Sequence, residues 1–466
     1  MAAVTFLGAA QEVTGSCHLV NAEGLGNVLL DCGMHQGGNA VKRLRSESFD
    51  FNPVDIDAVI LSHAHLDHSG LLPKLVADGF TGTIYCTSAT ADLLPIMLYD
   101  AVGLYERDLE RDNRKRRQRG EEPWPAAWSK ADVAATLELL DPTPYRQTKR
   151  IHGHAAVRFH DAGHILGSAI IELTVTEDAK DKTLVYSGDL GKRNTVLMND
   201  PAMLNKADLV LMESTYGNRN HRDYGDTIEQ LSGILQTTWA SNGSVMIPSF
   251  AVGRTQEIIY HLGMLYHAGK LDPWEIYLDS PMAIEVTAVY DRWLRQLDKE
   301  DIKELDDAGR NSLESFLPTL NLSVTSDESM AINRIDKGVI VIAGSGMCTG
   351  GRIKHHFKHR IWQDRNTVIF CGFQANGTLG RRIVNGEEGI RMFGEDFVVR
   401  ANVETLGGFS AHAGQSGLLE WADNFATDTP FVLVHGEPDA MKVLQKMLNK
   451  KNITATIPGA GESIEF

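Results

Sequence analysis

Cysteine is scarce and scattered: five in 466 residues, at positions 17, 32, 86, 348 and 371, with no CxxC pair. That excludes a disulfide framework and a cysteine zinc ribbon, and it fits a reducing, cytoplasmic compartment. Long apolar runs are missing as well, since no stretch approaches the ~20 residues that a membrane-spanning helix needs. The N-terminus, MAAVTFLGAAQEVTG, carries no positive n-region and reaches Gln11 and Glu12 at once, so a signal peptide is not expected. Positive charge is in deficit: 45 Lys and Arg against 61 Asp and Glu give −16. A protein that binds nucleic acid over its whole surface is excluded by that sum, whereas a local basic groove is not. What is present is ordinary globular composition, 43% apolar and 23% charged, in a chain long enough for two or three domains.

Short apolar runs separated by Gly and Ser fill the first 25 residues and read as tightly joined strands. NVLLD (27–31) and DAVILS (57–62) read as buried strands with polar ends, joined by a polar loop over 33–52. The spacing predicts a helix over 71–79, a strand over 83–86, and mostly helix over 97–140, with a break at 121–128 where two prolines sit. Strands return at 157–159, 169–175, 183–187 and 209–212. Beyond them the pattern changes to alternation. Strands at 244–247, 275–278, 339–343 and 367–371 are interleaved with helices over 254–266 and 282–297, the signature of a parallel sheet covered by helices. Near the end come a strand at 431–434, a helix over 438–450 and a closing strand at 453–457.

The densest chemistry lies in HAHLDH (63–68), directly after a buried strand. His63, His65, Asp67 and His68, four ligand-capable side chains in six residues, can converge on a pair of metal ions. His63 and His65 point the same way while the chain is extended; Asp67 and His68 turn toward a second ion as a helix begins. Imidazole and carboxylate without thiolate form a set that zinc accepts. Two ions need about seven or eight ligands in all, so others must come from elsewhere. His164, in HDAGHILGS, stands between two predicted strands. Asp189, in YSGDLG, ends a strand among glycines that let its carboxylate be approached closely and bridge both ions. His435, in FVLVHGE, ends another strand. Singly, each could be a structural residue; jointly, they complete a ligand set. Asp31, ending NVLLD, either fixes a histidine tautomer from behind the ligands or simply forms a turn.

These residues resemble known motifs. HAHLDH, the HILGS histidine and SGDLG resemble motifs two to four of the metallo-β-lactamase superfamily, with Asp31 in motif one. Glu213 in MESTYGNR, His412 in GFSAHAGQ and His435 in VHGE resemble motifs A, B and C of its β-CASP branch. PSFAVGRTQE, AGSGMCTGG and QANGTLGRR resemble sequences of the β-CASP insert. The likeness covers essentially the whole chain and is nearest to bacterial and archaeal relatives of the endonuclease subunit of the mRNA 3′-end cleavage machinery.

The resemblance implies an α/β fold: an αββα metallo-β-lactamase sandwich in two stretches, 1–210 and 396–466. A β-CASP domain over 211–395, a parallel sheet flanked by helices, interrupts it. The resemblance further implies two Zn2+ per chain, one held by His63, His65, His164 and Asp189. The other is held by Asp67, His68, His435 and the bridging Asp189. Asp67, Glu213 and His412 form the implied catalytic set. A zinc-activated hydroxide attacks phosphorus in line, and His412, kept protonated by Glu213, acts as general acid on the leaving oxygen. The resemblance also implies histidine in motif C for RNA-processing members where DNA-processing members usually have valine, so His435 points to RNA, and single-stranded RNA is the expected partner. The KH domains of many archaeal relatives and the C-terminal extension of ribonuclease J are not among these 466 residues.

Weaker features stay open. RDNRKRRQRG (111–120) is either a patch that steers an RNA backbone or a solvated helix face. SGMCTGG, which begins at Ser345, is a phosphate nest or a strand-to-helix turn. Arg254, Arg381 and Arg382 are phosphate contacts or partners of acidic neighbours. The expected function is a zinc-dependent endoribonuclease. Its rivals are a 5′→3′ exonuclease using the same site, a thioester or lactam hydrolase, and a non-catalytic RNA-binding scaffold. A homodimer through the β-CASP domain is implied by resemblance alone, and no membrane partner is expected.

Overall fold

The computed structural model describes residues 2–35, 48–151, 155–177, 180–271, 273–372 and 374–466; the middle of the polar loop read over 33–52 lies outside them. The chain forms two compact units. The first comprises Met1–Arg193, Asp200–Asn220 and His412–Phe466, the second Asn194–Asn199 and His221–Ala411.

The first unit begins with β1 (Ala3–Gly8), β2 (Cys17–Ala22), β3 (Gly26–Leu30), β4 (Ala58–Ile60), β5 (Thr83–Thr87) and β6 (Leu140–Thr143), hydrogen-bonded in that order. A second sheet follows with β7 (Thr148–Arg150), β8 (Ala156–Asp161), β9 (Ala169–Glu177), β10 (Lys180–Tyr186) and β11 (Leu209–Glu213). The second unit holds β12 (Val245–Pro248), β13 (Glu275–Leu278), β14 (Leu320–Leu322), β15 (Val339–Ala343), β16 (Thr367–Phe370), the hairpin β17 (Gly389–Met392) and β18 (Glu395–Val398), and β19 (Asn402–Thr405). The chain then returns to the first unit as β20 (Phe431–Val434), β21 (Ala455–Thr456) and β22 (Ser463–Glu465). There β20 lies parallel to β11, β21 parallel to β20, and β22 antiparallel to β1.

Period-two patterning explains the layers of the first unit. Phe6, Val20, Leu30 and Ile60 of one sheet share a core with Phe159, Ile171, Leu184, Leu211 and Val434 of the other. The alternate residues Val210, Met212, Phe431 and Leu433 face outward and pack with Trp421, Leu444 and Leu448, from the helices Gln415–Ala422 and Pro438–Lys450. Strands buried on both faces read as continuous apolar runs, as VLL and FVLV do. Each fully buried Leu or Phe contributes roughly 1.5–3 kcal/mol. Helices Leu72–Ala77, Ser88–Gln118 and Lys130–Glu138 accompany the first sheet and bury Leu75, Leu93, Leu98 and Val133. The result is helix, sheet, sheet, helix.

The predicted break at 121–128 falls between two helices. The first ends at Gln118, and a Ser129–Asp132 capping box starts the next at Lys130. Several charges of the basic run are locally paired, Arg111 with Asp108 and Arg116 with Glu121, each at 2.7 Å; Arg116 also lies over the Trp124 ring.

In the second unit, β14-β13-β15-β12-β16-β19 form an all-parallel sheet. Its core includes Val339, Val341, Phe357, Val368 and Phe370. Among the described residues no helix is long and apolar enough to cross a membrane.

Candidate metal centre

The site is built where strands stop. Asp31, His63, Asp189 and His435 lie just beyond the carboxyl ends of β3, β4, β10 and β20, and Glu213 is the last residue of β11. β3 runs parallel to β4, and β10, β11 and β20 run parallel to one another, so each sheet presents its carboxyl ends along one edge. That edge is where open α/β sheets place their sites. Asp31 and His435 sit at φ 62° and 49°, left-handed conformations that Asp and His tolerate better than most residues.

Beyond β4 the chain passes through His63 outside any strand or helix and then closes a helical turn, with the His68 and Ser69 amides both 2.9 Å from the His65 carbonyl. His164 lies between β8 and β9. A Cβ on Gly167 (φ 82°) would stand 2.5 Å from the Thr90 amide, so glycine is what lets this loop close against helix Ser88–Gln118.

Asp189, 2% exposed, divides its two oxygens between two groups. Its Oδ2 lies 3.6 Å from His63 Nε2 and 3.5 Å from His164 Nε2; His65 Nδ1 stands 3.1 and 3.2 Å from those same nitrogens. Its Oδ1 lies 3.4 Å from both His68 Nε2 and His435 Nδ1, while Asp67 Oδ2 is 3.9 Å from His435 Nε2. The groups are therefore His63, His65, His164 and Asp189, and Asp67, His68 and His435 beside the other Asp189 oxygen.

A geometric test follows. Donors held tetrahedrally at about 2.0–2.1 Å from one ion stand about 3.3–3.4 Å apart. The four separations given above for the first group run from 3.1 to 3.6 Å, and all its donor atoms lie within 4.8 Å of one another. Among the described residues, His68 Nε2, His435 Nε2 and Asp189 Oδ1 are buried with no hydrogen-bond partner, a cost of about 1–3 kcal/mol each. A cation in the second group relieves that cost, and the spacing of the first group suits another, so the donor set fits a pair of divalent ions.

Charge in the cluster is otherwise balanced by protons. Burial disfavours a charged His68, yet Asp189 and Asp31 on either side raise it well above the ordinary imidazole range. Burial and the neighbouring His68 hold His63 well below that range. Burial would raise Asp67, but His435, His68 and His65 draw it down to about 2.

Behind the ligands, Asp31 Oδ1 accepts the Ser62 amide at 2.7 Å, and Oδ2 accepts Ser62 Oγ at 2.7 Å and Tyr186 Oη at 2.8 Å. His68 Nδ1 is 2.7 Å from the same Oδ2. Thr215 Oγ1 supports His435, lying 3.1 Å from its Nδ1. Sequence reasoning named Asp31 but missed Ser62, Tyr186 and Thr215. Adjacency to HAHLDH, SGDLG and Glu213 was the available signal.

Glu213 is fully buried. Its Oε1 accepts the Leu190 amide at 2.8 Å and lies 3.0 Å from His412 Nδ1; its Oε2 accepts the Thr215 amide at 3.2 Å. His412 is pinned beside Gly191 by an antiparallel bridge, and the Ala413 amide donates to the Leu190 carbonyl at 2.7 Å. Burial lowers the His412 pKa, but Glu213 and Asp189 outweigh it and lift it to about 9. His412 and Asp67, with side chains 18% and 17% exposed, form the solvent-reachable side of the cluster.

Arg254, Ser345, Arg381 and Arg382 belong to the second unit. Arg254 is buried and ion-paired with Glu257, and Arg382 pairs with Glu387 at 2.7 Å. The Arg381 amide donates to Thr378 Oγ1 at 3.2 Å, and Ser345 Oγ accepts the Gly350 amide at 3.2 Å.

Two facing sheets with a His/Asp cluster at their carboxyl edge define a metal-dependent hydrolase. Residues 10–233 match the metallo-beta-lactamase superfamily, 255–383 the Beta-Casp domain, and 396–458 the Zn-dependent metallo-hydrolase RNA specificity domain. The chain belongs to the β-CASP ribonuclease family of that superfamily. It is 41% identical to Ribonuclease TTHA0252 of Thermus thermophilus over 98% of both chains. Identity to Transcription termination factor FttA of Methanosarcina mazei is 32%, covering 96% of this chain and 69% of that one. An RNase J-like protein of Methanocaldococcus jannaschii is 30% identical over 94% and 93%. A solved structure of a protein of unknown function from Enterococcus faecalis V583 shares the fold, with TM-score 0.53 at 12% identity and 99% coverage of both chains.

Proposed function

We propose that this protein is a two-zinc ribonuclease that cleaves single-stranded RNA internally. The observation that carries the reading is the buried Glu213 carboxylate against His412 Nδ1, beside a two-group ligand cluster. Hydrolysis of small thioesters or lactams has no evident use for that pair. His63, His65, His164 and Asp189 would hold one ion, and Asp67, His68 and His435, with the other Asp189 oxygen, the second. Bound there, the ions supply Lewis-acid charge for the scissile phosphate and acidify a water.

The chain's own residues do the rest. Asp31 and Thr215 orient His68 and His435, and the buried histidines exclude bulk water from the ligand atoms. Glu213 keeps His412 charged at neutral pH and aims its Nε2–H toward the open side, 3.9 Å from Asp189 Oδ2. As the P–O bond breaks, His412 passes that proton to the leaving oxygen, yielding a phosphate monoester and an alcohol. Named relatives include a ribonuclease and an RNase J-like protein, which supports RNA as substrate.

The test is His412→Ala. Loss of a general acid costs typically 10²–10⁴-fold in rate, with zinc content and binding of the RNA retained. Full activity in the zinc-loaded variant sinks the assignment.

A further inference from the structure

Ser62 belongs to neither ligand group, yet it lies between them. Its hydroxyl donates to Asp31 Oδ2 at 2.7 Å, and the same oxygen is 3.0 Å from His63 Nδ1. A hydroxyl has one proton to give. With that proton committed to a carboxylate, Ser62 Oγ can only accept from His63, so His63 Nδ1 carries the hydrogen and Nε2 presents its lone pair to the first group. Asp31 Oδ2 likewise can only accept, so His68 keeps a hydrogen on Nδ1, at 2.7 Å, and it is Nε2, facing the second group, that gives up its proton to become a ligand atom. Ser62 Oγ also approaches His68 Nδ1, but at 3.4 Å, second to the carboxylate. Tyr186 Oη gives Oδ2 its further bond at 2.8 Å. Asp31, Ser62, His63 and His68 are all 0% exposed, so bulk water does not compete for these bonds.

We propose that Ser62 is a positioning residue that links the two ligand groups. Through it, one carboxylate sets the tautomer of a ligand in each group, directly for His68 and by way of the serine hydroxyl for His63. The two ions therefore load as a coupled pair. The inference rests on the two-cation reading above. Hydrogen bonds behind metal ligands are worth about 10–100-fold in metal affinity. Ser62→Ala leaves Asp31 with three donors and strands no charge. It leaves His63 Nδ1–H without an acceptor, free to move its hydrogen to Nε2 and withdraw the ligand lone pair. Tyr186→Phe takes one bond from Asp31 but leaves both tautomers fixed.

The experiment is zinc titration of metal-free wild type, Ser62→Ala and Tyr186→Phe against a competing chelator, with thermal melting of each metal-free protein alongside. Wild type is expected to take two zinc ions in one coupled step. Ser62→Ala is expected to bind the first-group ion at least about tenfold more weakly and to separate the two steps, with melting near that of wild type. Tyr186→Phe is expected to remain closer to wild type. A folded Ser62→Ala that binds both ions like wild type overturns the inference. So does an equal loss in the two variants, which marks a general packing effect. A folded wild type that takes no zinc sinks the two-cation reading, and this inference with it. Should Ser62→Ala not fold, ¹⁵N imidazole spectra of metal-free wild type decide: His63 protonated on Nδ1 upholds the inference, and protonated on Nε2 overturns it.

Discussion

Glu213→Gln isolates the electrostatic half of the proposed acid. Glutamine matches the shape of glutamate, and its oxygen can still face the Leu190 amide at 2.8 Å and His412 Nδ1 at 3.0 Å. Its amide nitrogen then meets the Thr215 N–H, donor against donor, for about 1–3 kcal/mol. Removing the charge takes away the largest influence that raises His412 to about 9, and burial then lowers the ring against Asp189 and Asp67 alone, with the ordinary 6.5 as the limiting case. At pH 8 a group of pKa about 9 is about 90% protonated and one of 6.5 about 3%, so the acid-dependent rate falls by up to about 30-fold. At pH 6 the same two populations differ by only about 1.3-fold. Bound cations lower both values together, so the contrast between the two proteins is the quantity to read. Single-turnover cleavage of a labelled RNA from pH 5.5 to 9, with zinc content measured at each point, gives it directly. A defect equal at every pH, or none at pH 8, refutes the reasoning.

Three further outcomes are expected. Asp31→Asn, which tolerates the same left-handed backbone but removes the acceptor charge facing Ser62, Tyr186 and His68, should weaken zinc binding about 10–100-fold in chelator competition. Zinc binding at neutral pH should release protons, because His68, held well above its ordinary pKa by Asp189 and Asp31, must shed the Nε2 proton to become a ligand. Calorimetry in buffers of different ionisation enthalpy counts those protons, and affinity should fall as pH falls. Gly191→Ala places a Cβ 1.8 Å from the Gly163 carbonyl, next to His164. Overpacking of this kind costs about 1–3 kcal/mol, so thermal melting should drop together with zinc occupancy.

The candidate ligand cluster was legible in the sequence because four imidazole and carboxylate groups stand in six residues directly after a buried strand, and His164, Asp189 and His435 join them only as a set. Helix Pro438–Lys450 was legible to its bounds, because a proline opens it and Ala440, Met441, Leu444 and Leu448 mark one buried stripe. Other features carried no such mark. Helix Tyr224–Ala240 went unread because glycines 225 and 233 interrupt its pattern, and its Asp223 cap is clear only from the bond to the Gly225 amide. β6 contains a proline and β7 is the polar run TKR, so neither reads as a strand. Ser62, Tyr186 and Thr215 are common residue types whose roles depend on which strand ends meet in space.

The resemblance put the domain expectation at 210, in keeping with the change to strand–helix alternation after 209–212. The compact units part at Asn220 because Ser214 bonds to His435 and Arg219 to Gln415, tying that segment to the first unit. The choice between phosphate contact and structural pairing for Arg254 was likewise beyond pattern. Its burial against Glu257 depends on the fold around it.

The most direct test of a metal-dependent endoribonuclease uses one RNA labelled at either end, incubated with zinc-loaded wild type and with Asp189→Ala. Asp189 offers an oxygen to each group, so its loss disables both. Internal fragments from wild type and none from the variant are the expected result. Mononucleotides released stepwise from the 5′ end, or no cleavage by protein carrying two zinc ions, would contradict it.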